Sequence, residues 1–304
     1  MTTGIDKGPA APAQPRARRT FRHRAWRELK KAPLTAWFGM IVILGYFILA
    51  LFAPWIAPYG ESQVFDMPYS PAFYDEGWDP QFLLGTDQLG RDMLTRLIFG
   101  ARNTIGIAVA TTLLSFFIGG SLGLVAAIVH GWFEQLLSRA VDVLMAIPSL
   151  IFSLMLLSIF GSNIPNIIFI IAVLDATRVF RLTRAVAMNV VVMDYVEAAR
   201  LRGERLGWVM RREILPNILP PLVAEFGLRF CFVFLTIASL SFLGVGIQPP
   251  TADWGSMVRE NATLITYGSF TPLLPAGAIA LLTVAVNFVV DWFLHKTSGL
   301  RDEH

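Results

Sequence analysis

The stretch VVMDYVEAARLRGERLGWVMRREILPNILP, residues 191–220, decides how this chain is read. It carries Arg200, Arg202, Arg205, Arg211 and Arg212, and long apolar runs lie on both sides of it. A charged helical segment between two membrane spans must lie at a water-facing surface, because charged side chains are costly in hydrocarbon. It reads as a cytoplasmic lever that can pass motion to the helices on either side.

Composition supports membrane placement. Of 304 residues, 55% are hydrophobic and only 15% charged, whereas soluble domains run about 45–50% and about 25%. Several apolar runs reach about 20 residues, enough for a helix to cross a bilayer core of about 30 Å. Cys231 is the single cysteine. It excludes an internal disulfide and reads as a buried thiol.

Working outward, the fold class expected is all-α: a polytopic membrane protein of six transmembrane helices with both termini cytoplasmic. Residues 1–33 form a basic tail, partly disordered. Residues 34–58 hold the first span, about Thr35 to Ile56, too long for a signal-peptide core. Residues 59–102 form an outer loop, acidic and proline-rich at first. It ends in LGTDQLGRDMLTRLIFGAR, where Met93, Leu94, Leu97 and Ile98 recur at helical spacing opposite Arg91, Thr95 and Arg102. That pattern predicts a short interfacial helix. Residues 103–295 hold the five-helix core. Its spans are expected at about Asn103–Val129, Arg139–Phe160 with a kink at Pro148, Asn166–Val179, Leu219–Leu243 and Leu273–Leu294. Residues 190–217 form the cytoplasmic loop within that core, Gly244 to Thr271 an outer loop, and 296–304 a cytoplasmic tail.

Basic residues fix the sides. Nine precede the first span and eight lie between Arg178 and Arg212, against Arg91, Arg96, Arg102 and Arg259 in the outer segments. That bias places both ends inside. Trp37, Trp55, Tyr59, Trp132, Trp254 and Trp292 stand at or near span ends, as interfacial aromatics do. Gly119 and Gly123 form a GxxxG pair, which is either a helix-packing face or ordinary membrane-helix glycine.

Within the central stretch, Asp194 stands three residues before Glu197, a capping-box variant. Gly203 suits a left-handed helix end. A second short helix, Leu206 to Leu215, is expected to stop before Pro216 and Pro220. On the residues alone, this hairpin serves equally as a protein-docking element or as a basic surface lying on anionic lipid.

EAARLRG followed by ILP resembles the EAA signature of permease subunits of ATP-binding-cassette importers. Glu197, Ala198, Ala199, Gly203, Leu215 and Pro216 stand at the matching positions; Glu213 departs from the pattern, which has an aliphatic residue there. LGTDQLGRDMLTRL, VDVLMAIPSL, EILPN and SLSFLGVGIQPPTADWG extend the resemblance, over about Leu84 to Asp291, to the C-type permease of the dipeptide/oligopeptide/nickel branch. The resemblance implies a type I ABC importer permease fold in a bacterial or archaeal cell membrane. It implies that Asp194, Glu197, Ala198, Ala199, Arg200, Arg202, Gly203, Leu206, Leu215 and Pro216 form the coupling site for ATPase subunits. It also implies a homologous B-type permease as partner, two ABC ATPase subunits and an extracytoplasmic substrate-binding protein. Membrane lipid is the remaining partner, and nothing points to nucleic acid. The solute is a di- or oligopeptide or a related small solute such as a nickel chelate, glutathione or an opine.

The chain has no Gly-x-x-x-x-Gly-Lys-Ser/Thr phosphate loop. No cofactor is expected on it, ATP and Mg²⁺ belonging to the ATPase partners, and it is not expected to be an enzyme. Glu225 and Arg229 lie four apart on the fifth expected span. They read either as the lining of the translocation path or as a pair that satisfies itself or a neighbouring span. Asp142 and Asp291 read as interfacial, and Asp175 with Arg178 and Arg181 as the end of the fourth span. His23, His130, His295 and His304 show no metal-ligand spacing. The competing function, an ion-coupled secondary transporter working alone, would call for several intramembrane acids and an internal repeat. The sequence has few such acids and no clear repeat.

Overall fold

The computed structural model describes residues 32–74, 77–129 and 131–297. The expected N-terminal basic tail up to residue 31, His130, and the C-terminal tail from residue 298, with His304, lie outside the described residues. Helices dominate, and no strand occurs among the described residues. The helices are α1 Leu34–Ile56, α2 Met93–Ile128, α3 Trp132–Ala146, α4 Ser149–Phe160, α5 Ile164–Val191, α6 Asp194–Leu201 and α7 Leu206–Val209. They continue with a π turn, Met210–Ile214, then α8 Leu215–Phe242, α9 Trp254–Asn261, a 3-10 turn Ala262–Tyr267, and α10 Leu273–Thr297. By length and apolar content, α1, α2, the continuous run Leu206–Phe242 and α10 can each cross a bilayer; the bent pair α3–α4 would make a fifth.

Several boundaries differ from expectation, each for a physical reason. The interfacial helix and the second span are one helix of 36 residues, about 54 Å long at 1.5 Å per residue. Asp92 starts it by accepting from the Thr95 amide at 2.7 Å, and no proline interrupts it thereafter. At Ile147–Pro148 the chain turns through 89°, a break rather than a kink, and α3 already begins at Trp132. α5 does not end near Asp175 but runs to Val191. Its arginines are good helix formers, and Arg184 pairs with Glu134 of α3. The outer loop 244–271 contains α9, whose Trp254 is 1% exposed and donates to Leu97 O at 2.9 Å. Trp254 is therefore a core residue, not an interfacial one.

α2 and α5 form the most extensive helix pair. Gly119 and Gly123 make that approach possible: a Cβ at Gly123 would lie 2.7 Å from Phe180 O and 2.9 Å from Thr183 Cβ. The GxxxG pair is thus a packing face, and its partner is α5 of the same chain. α1 attaches peripherally, with Gly39 against the Ala285 carbonyl of α10 and Tyr46 donating to Ala278 O at 3.3 Å. Its remaining face, including Ile41, Leu44, Phe47 and Leu51, is exposed, as suits a helix bathed in lipid. Two apolar clusters organise the rest. One, around Phe234, Ile237 and Trp254, joins α2, α4, α5, α8, α9 and α10. The other joins the ends of α2 and α5 to the segment 196–222.

Candidate functional site

The second cluster builds the central hairpin. α5 ends at Val191, and α6 starts two residues later at Asp194. Met193, not Asp194, precedes the helix, and no side chain caps it. The Met193 carbonyl accepts from Val196 at 2.9 Å and Glu197 at 3.2 Å. The expected capping box is not formed. Asp194 and Glu197 lie instead in the first turn, where the positive end of the helix dipole favours carboxylates. At the other end Gly203 adopts φ 81°. The Glu204 amide donates to Ala199 O at 3.3 Å and the Gly203 amide to Arg200 O at 2.9 Å. These are the paired bonds of a Schellman ending, which needs a left-handed residue at Gly203.

α6 shows two faces. Val196 and Ala199 are fully buried against Leu124, Ala127, Ile128, Ala187 and Val191. Asp194, Glu197, Arg200, Arg202, Gly203 and Leu206 are exposed, Ala198 and Leu215 half-buried, and Pro216 exposed. Ala199 is therefore small because it packs inside this chain, not because it leaves room for another. The second short helix does not stop before Pro216. It passes through the π turn into α8, so Leu206–Phe242 is one continuous helical run. The altered bonding of a π turn accommodates residues that cannot donate, and Asn217 Nδ2 donates to the Glu213 carbonyl at 2.6 Å. Beside Glu213, Ile214 is fully buried and supplies the aliphatic anchor that Glu213 cannot.

The sequence reading passed over the hairpin's outward apolar residues. Leu201 is 82% exposed and Val192 77%; Met193, Tyr195 and Trp208 are also exposed. The available signal was apolar residues placed inside a charged stretch. Exposed apolar side chains interleaved with charges suit a protein contact.

A second constellation lies deeper. Arg229 Nε stands 2.7 Å from Glu225 Oε1 and Arg229 Nη1 3.6 Å from Asp175 Oδ1 of α5. Ser115 of α2 donates to Asp175 Oδ2 at 2.8 Å, and the Phe232 ring lies 4.7 Å from the guanidinium carbon. Glu225 and Arg229 therefore form ion pairs with each other and with Asp175 of a neighbouring helix, a partner the sequence did not suggest, while Arg229 Nε and Nη1 make no hydrogen bond. Asp142 and Asp291 are exposed on α3 and α10.

A third constellation was also missed. Asp87, Arg91, Arg96 and Glu260 form a buried quartet outside the central segment. Arg91 Nε lies 2.7 Å from Asp87 Oδ2 and Arg91 Nη2 3.0 Å from Glu260 Oε2. Arg96 reaches the same two oxygens at 3.5 and 3.4 Å. Nearby, Asp253 caps α9 by accepting from Ser256 at 2.9 Å, and Thr104 Oγ1 donates to it at 2.9 Å. Burial pushes the Asp253 carboxyl above its ordinary value despite these donors. Among the described residues, no three His, Cys, Asp or Glu side chains are grouped as a metal site.

Comparison with known proteins adds to this geometry. Residues 119–296 match the family model described as binding-protein-dependent transport system inner membrane component. Residues 20–73 match the N-terminal TM domain of oligopeptide transport permease C. The chain is 38% identical over 265 residues to a di/tripeptide transport system permease protein DppC of Pseudomonas aeruginosa, covering 87% of this chain and 85% of that one. It is 35% identical over 269 residues to a dipeptide transport system permease protein DppC of Haemophilus influenzae, covering 88% of both. It is 31% identical over 280 residues to a glutathione transport system permease protein GsiD of Pectobacterium atrosepticum, covering 91% and 88%. A crystal structure of an amino acid ABC transporter with histidines superposes with a TM-score of 0.51 at 20% identity, covering 66% of this chain and 94% of that one. That likeness is one of fold.

Proposed function

Because the chain belongs to the family of binding-protein-dependent transport system inner membrane components, and within it to the C-type permeases of the dipeptide/oligopeptide branch, we propose that its 190–217 hairpin is the docking element for an ABC ATPase subunit, one of two in the importer. The chain supplies half of a translocation pathway, a homologous B-type permease supplies the other half, and an external binding protein delivers the solute. That solute is a short peptide or a peptide-like molecule, the class carried in the names of the DppC and GsiD relatives. Six crossings, by α1, α2, α3–α4, α5, α8 and α10, put both termini and the hairpin in the cytoplasm. ATP and Mg²⁺ are held by the ATPase partners, and this chain contributes motion rather than hydrolysis.

The observation that carries the reading is the division of α6 into an anchored and a free face. Val196 and Ala199 fix it to the ends of α2, α5 and α8. Glu197, Arg200 and Leu201 project outward from the same two turns. A force on the outer face therefore reaches three long helices. Closure of the ATPase dimer around ATP carries the hairpin with it and switches the pathway from inward- to outward-facing. This requires ATP to bind the two states unequally, not merely to touch both.

Glu197→Lys inverts a charge on the free face. Gly203→Val forces a β-branched residue into φ 81°, at a strain of about 1–3 kcal/mol. Both variants should insert in the membrane at normal levels yet copurify with at least tenfold less ATPase subunit, and solute-stimulated ATP hydrolysis should disappear. Wild-type copurification and stimulation in both would refute the docking assignment. Solute class is read separately, from uptake of labelled dipeptide and glutathione by the reconstituted importer.

A further inference from the structure

The hairpin has two long arms, α5 leading in and α8 leading out, joined at the base, by the apolar cluster around Phe234 and Ile237 higher up, and by one ion pair. At the base, Val196, Ala199, Val209, Ile214 and Ile218 are all fully buried in one apolar cluster. The ion pair is the contact of Arg229 with Asp175 at 3.6 Å. Among the described residues it is the one ion pair that joins α5 to α8. Asp175 lies sixteen residues before the end of α5 at Val191, and Arg229 fourteen residues after the start of α8 at Leu215. At 1.5 Å per residue those offsets are about 24 and about 21 Å. The base and the ion pair therefore lie well apart along the arms, at nearly matched heights.

We propose that Asp175 and Arg229 are positioning residues: their ion pair, held by Ser115 and Glu225, makes α2, α5 and α8 turn as one body, so that a displacement of the hairpin is delivered in mid-membrane instead of being absorbed by splaying of the arms. The inference rests on the coupling reading above.

Three features of the site argue for a tie rather than a solute-binding surface. The Asp175 and Arg229 side chains are 7% and 12% exposed, so little of either charge is offered outward. Both carboxylate oxygens of Asp175 are engaged, one by Arg229 and one by Ser115. The remaining reach of Arg229 is taken by Glu225 within α8 and by the Phe232 ring. Beside the network, Phe116 and Phe226 meet edge-on at 5.2 Å and close α2 onto α8. Apolar packing is non-directional and lets two helices slip against each other; an ion pair at a fixed point between them resists that slip. In hydrocarbon the ion pair is well suited to the task, because opening it exposes uncompensated charge.

α4 packs on this body through Leu157, which is 1% exposed within the cluster of Phe234 and Ile237. Pro148 separates it from α3 by the 89° turn, and α3 has no buried residue. Ser149 and Ser153 of α4 line a narrow crevice of about 20 Å³ together with Asp175, Arg178, Thr236 and the apolar Ile171, Leu174, Phe232 and Val233.

The test uses the importer assembled with its ATPase and permease partners in proteoliposomes, and reads solute molecules moved per ATP hydrolysed. Asp175→Asn and Arg229→Gln should copurify with the ATPase subunits but lower that ratio at least tenfold. Asp175→Glu and Arg229→Lys, which keep the charges, should stay within threefold of wild type. An unchanged ratio in the neutral variants overturns the proposal, as does an equal fall in the charge-conserving ones. Should a neutral variant fail to assemble, Ser115→Ala, which removes only a hydroxyl, carries the test: a two- to fivefold fall is expected, and an unaltered ratio refutes the tie. Failure of the wild-type chain to copurify with ATPase subunits would instead remove the coupling reading itself, before any variant is compared.

Discussion

Gly119→Leu and Gly123→Val are expected to prevent the chain from reaching a folded state that survives extraction from the membrane. The two glycines lie where α2 crosses α5. A Cβ at Gly119 would run into the Ala176 carbonyl and lie 2.8 Å from Val179 Cβ and 3.0 Å from the Phe180 amide nitrogen. At Gly123 it would meet Phe180 O at 2.7 Å and the Arg184 amide nitrogen at 3.1 Å. These are mostly backbone atoms of a helix, which cannot rotate aside as a side chain can. The helices must separate, and close van der Waals packing, the main attraction between helices in lipid, is lost over the whole crossing. Overpacking of this kind costs about 3 kcal/mol or more, a factor above about one hundred in the folded population. Separation would also draw Ser115, one turn from Gly119, away from Asp175. Gly120→Leu is the control, since nothing lies within 4 Å of its added Cβ. The monodisperse fraction after detergent extraction should fall more than tenfold for the first two variants and remain near wild type for Gly120→Leu. Extraction of Gly119→Leu as readily as wild type would contradict the packing described.

The difference between Gly119 and Gly120 marks how far sequence reading reaches. Spacing pointed to a packing face, yet nothing in one chain says which helix fills it. The left-handed turn at Gly203 was legible for the same local reason: a glycine after a helical run, with no β-branched alternative nearby. The division of Glu197 from Ala199 onto opposite faces follows from helical periodicity once the first turn is fixed. That turn was placed one residue late, because Asp194 is a good cap by type while the Met193 carbonyl takes the capping role in the fold. Segment ends failed where charge was taken as a stop signal. Arg178, Arg181 and Arg184 do not end α5, since an arginine in a helix needs only a partner or water, and Arg184 has Glu134. The prolines at 216 and 220 failed as stop signals too: Pro216 sits in the first turn of α8, and the helix runs on through Pro220. Contacts distant in sequence were the least legible. Asp175 is fifty-four residues from Arg229, and Glu260 lies 164 residues from Arg96; no local pattern announces either pair.

That last distance gives the buried quartet its consequence. Arg91 and Arg96 belong to the segment leading into and opening α2, and Glu260 to α9 in the later outer loop, so the quartet pins the two outer segments together. Its four side chains are 0–8% exposed and their formal charges cancel. Arg96→Met keeps the length and apolar stem of the side chain but leaves Asp87 and Glu260 sharing Arg91 alone, with one buried negative charge uncompensated. Removing one partner from a buried ionic group costs about 3–5 kcal/mol, against about 0–1 kcal/mol for a surface pair. Adding Glu260→Gln removes the surplus charge and leaves Asp87 paired with Arg91. The double variant should therefore be more stable than Arg96→Met alone, a sign of coupling that independent sites would not give. Thermal unfolding of the three proteins in detergent measures this directly, and limited proteolysis locates it: cleavage within residues 57–92 should rise sharply in Arg96→Met and recede in the double variant. If the two substitutions simply added, the quartet would be four separate contacts, and the two outer segments would be held together by the other contacts between them, such as Trp254 on Leu97 O and Glu61, which accepts from Asn103 at 2.8 Å and from the Ala252 amide at 2.6 Å.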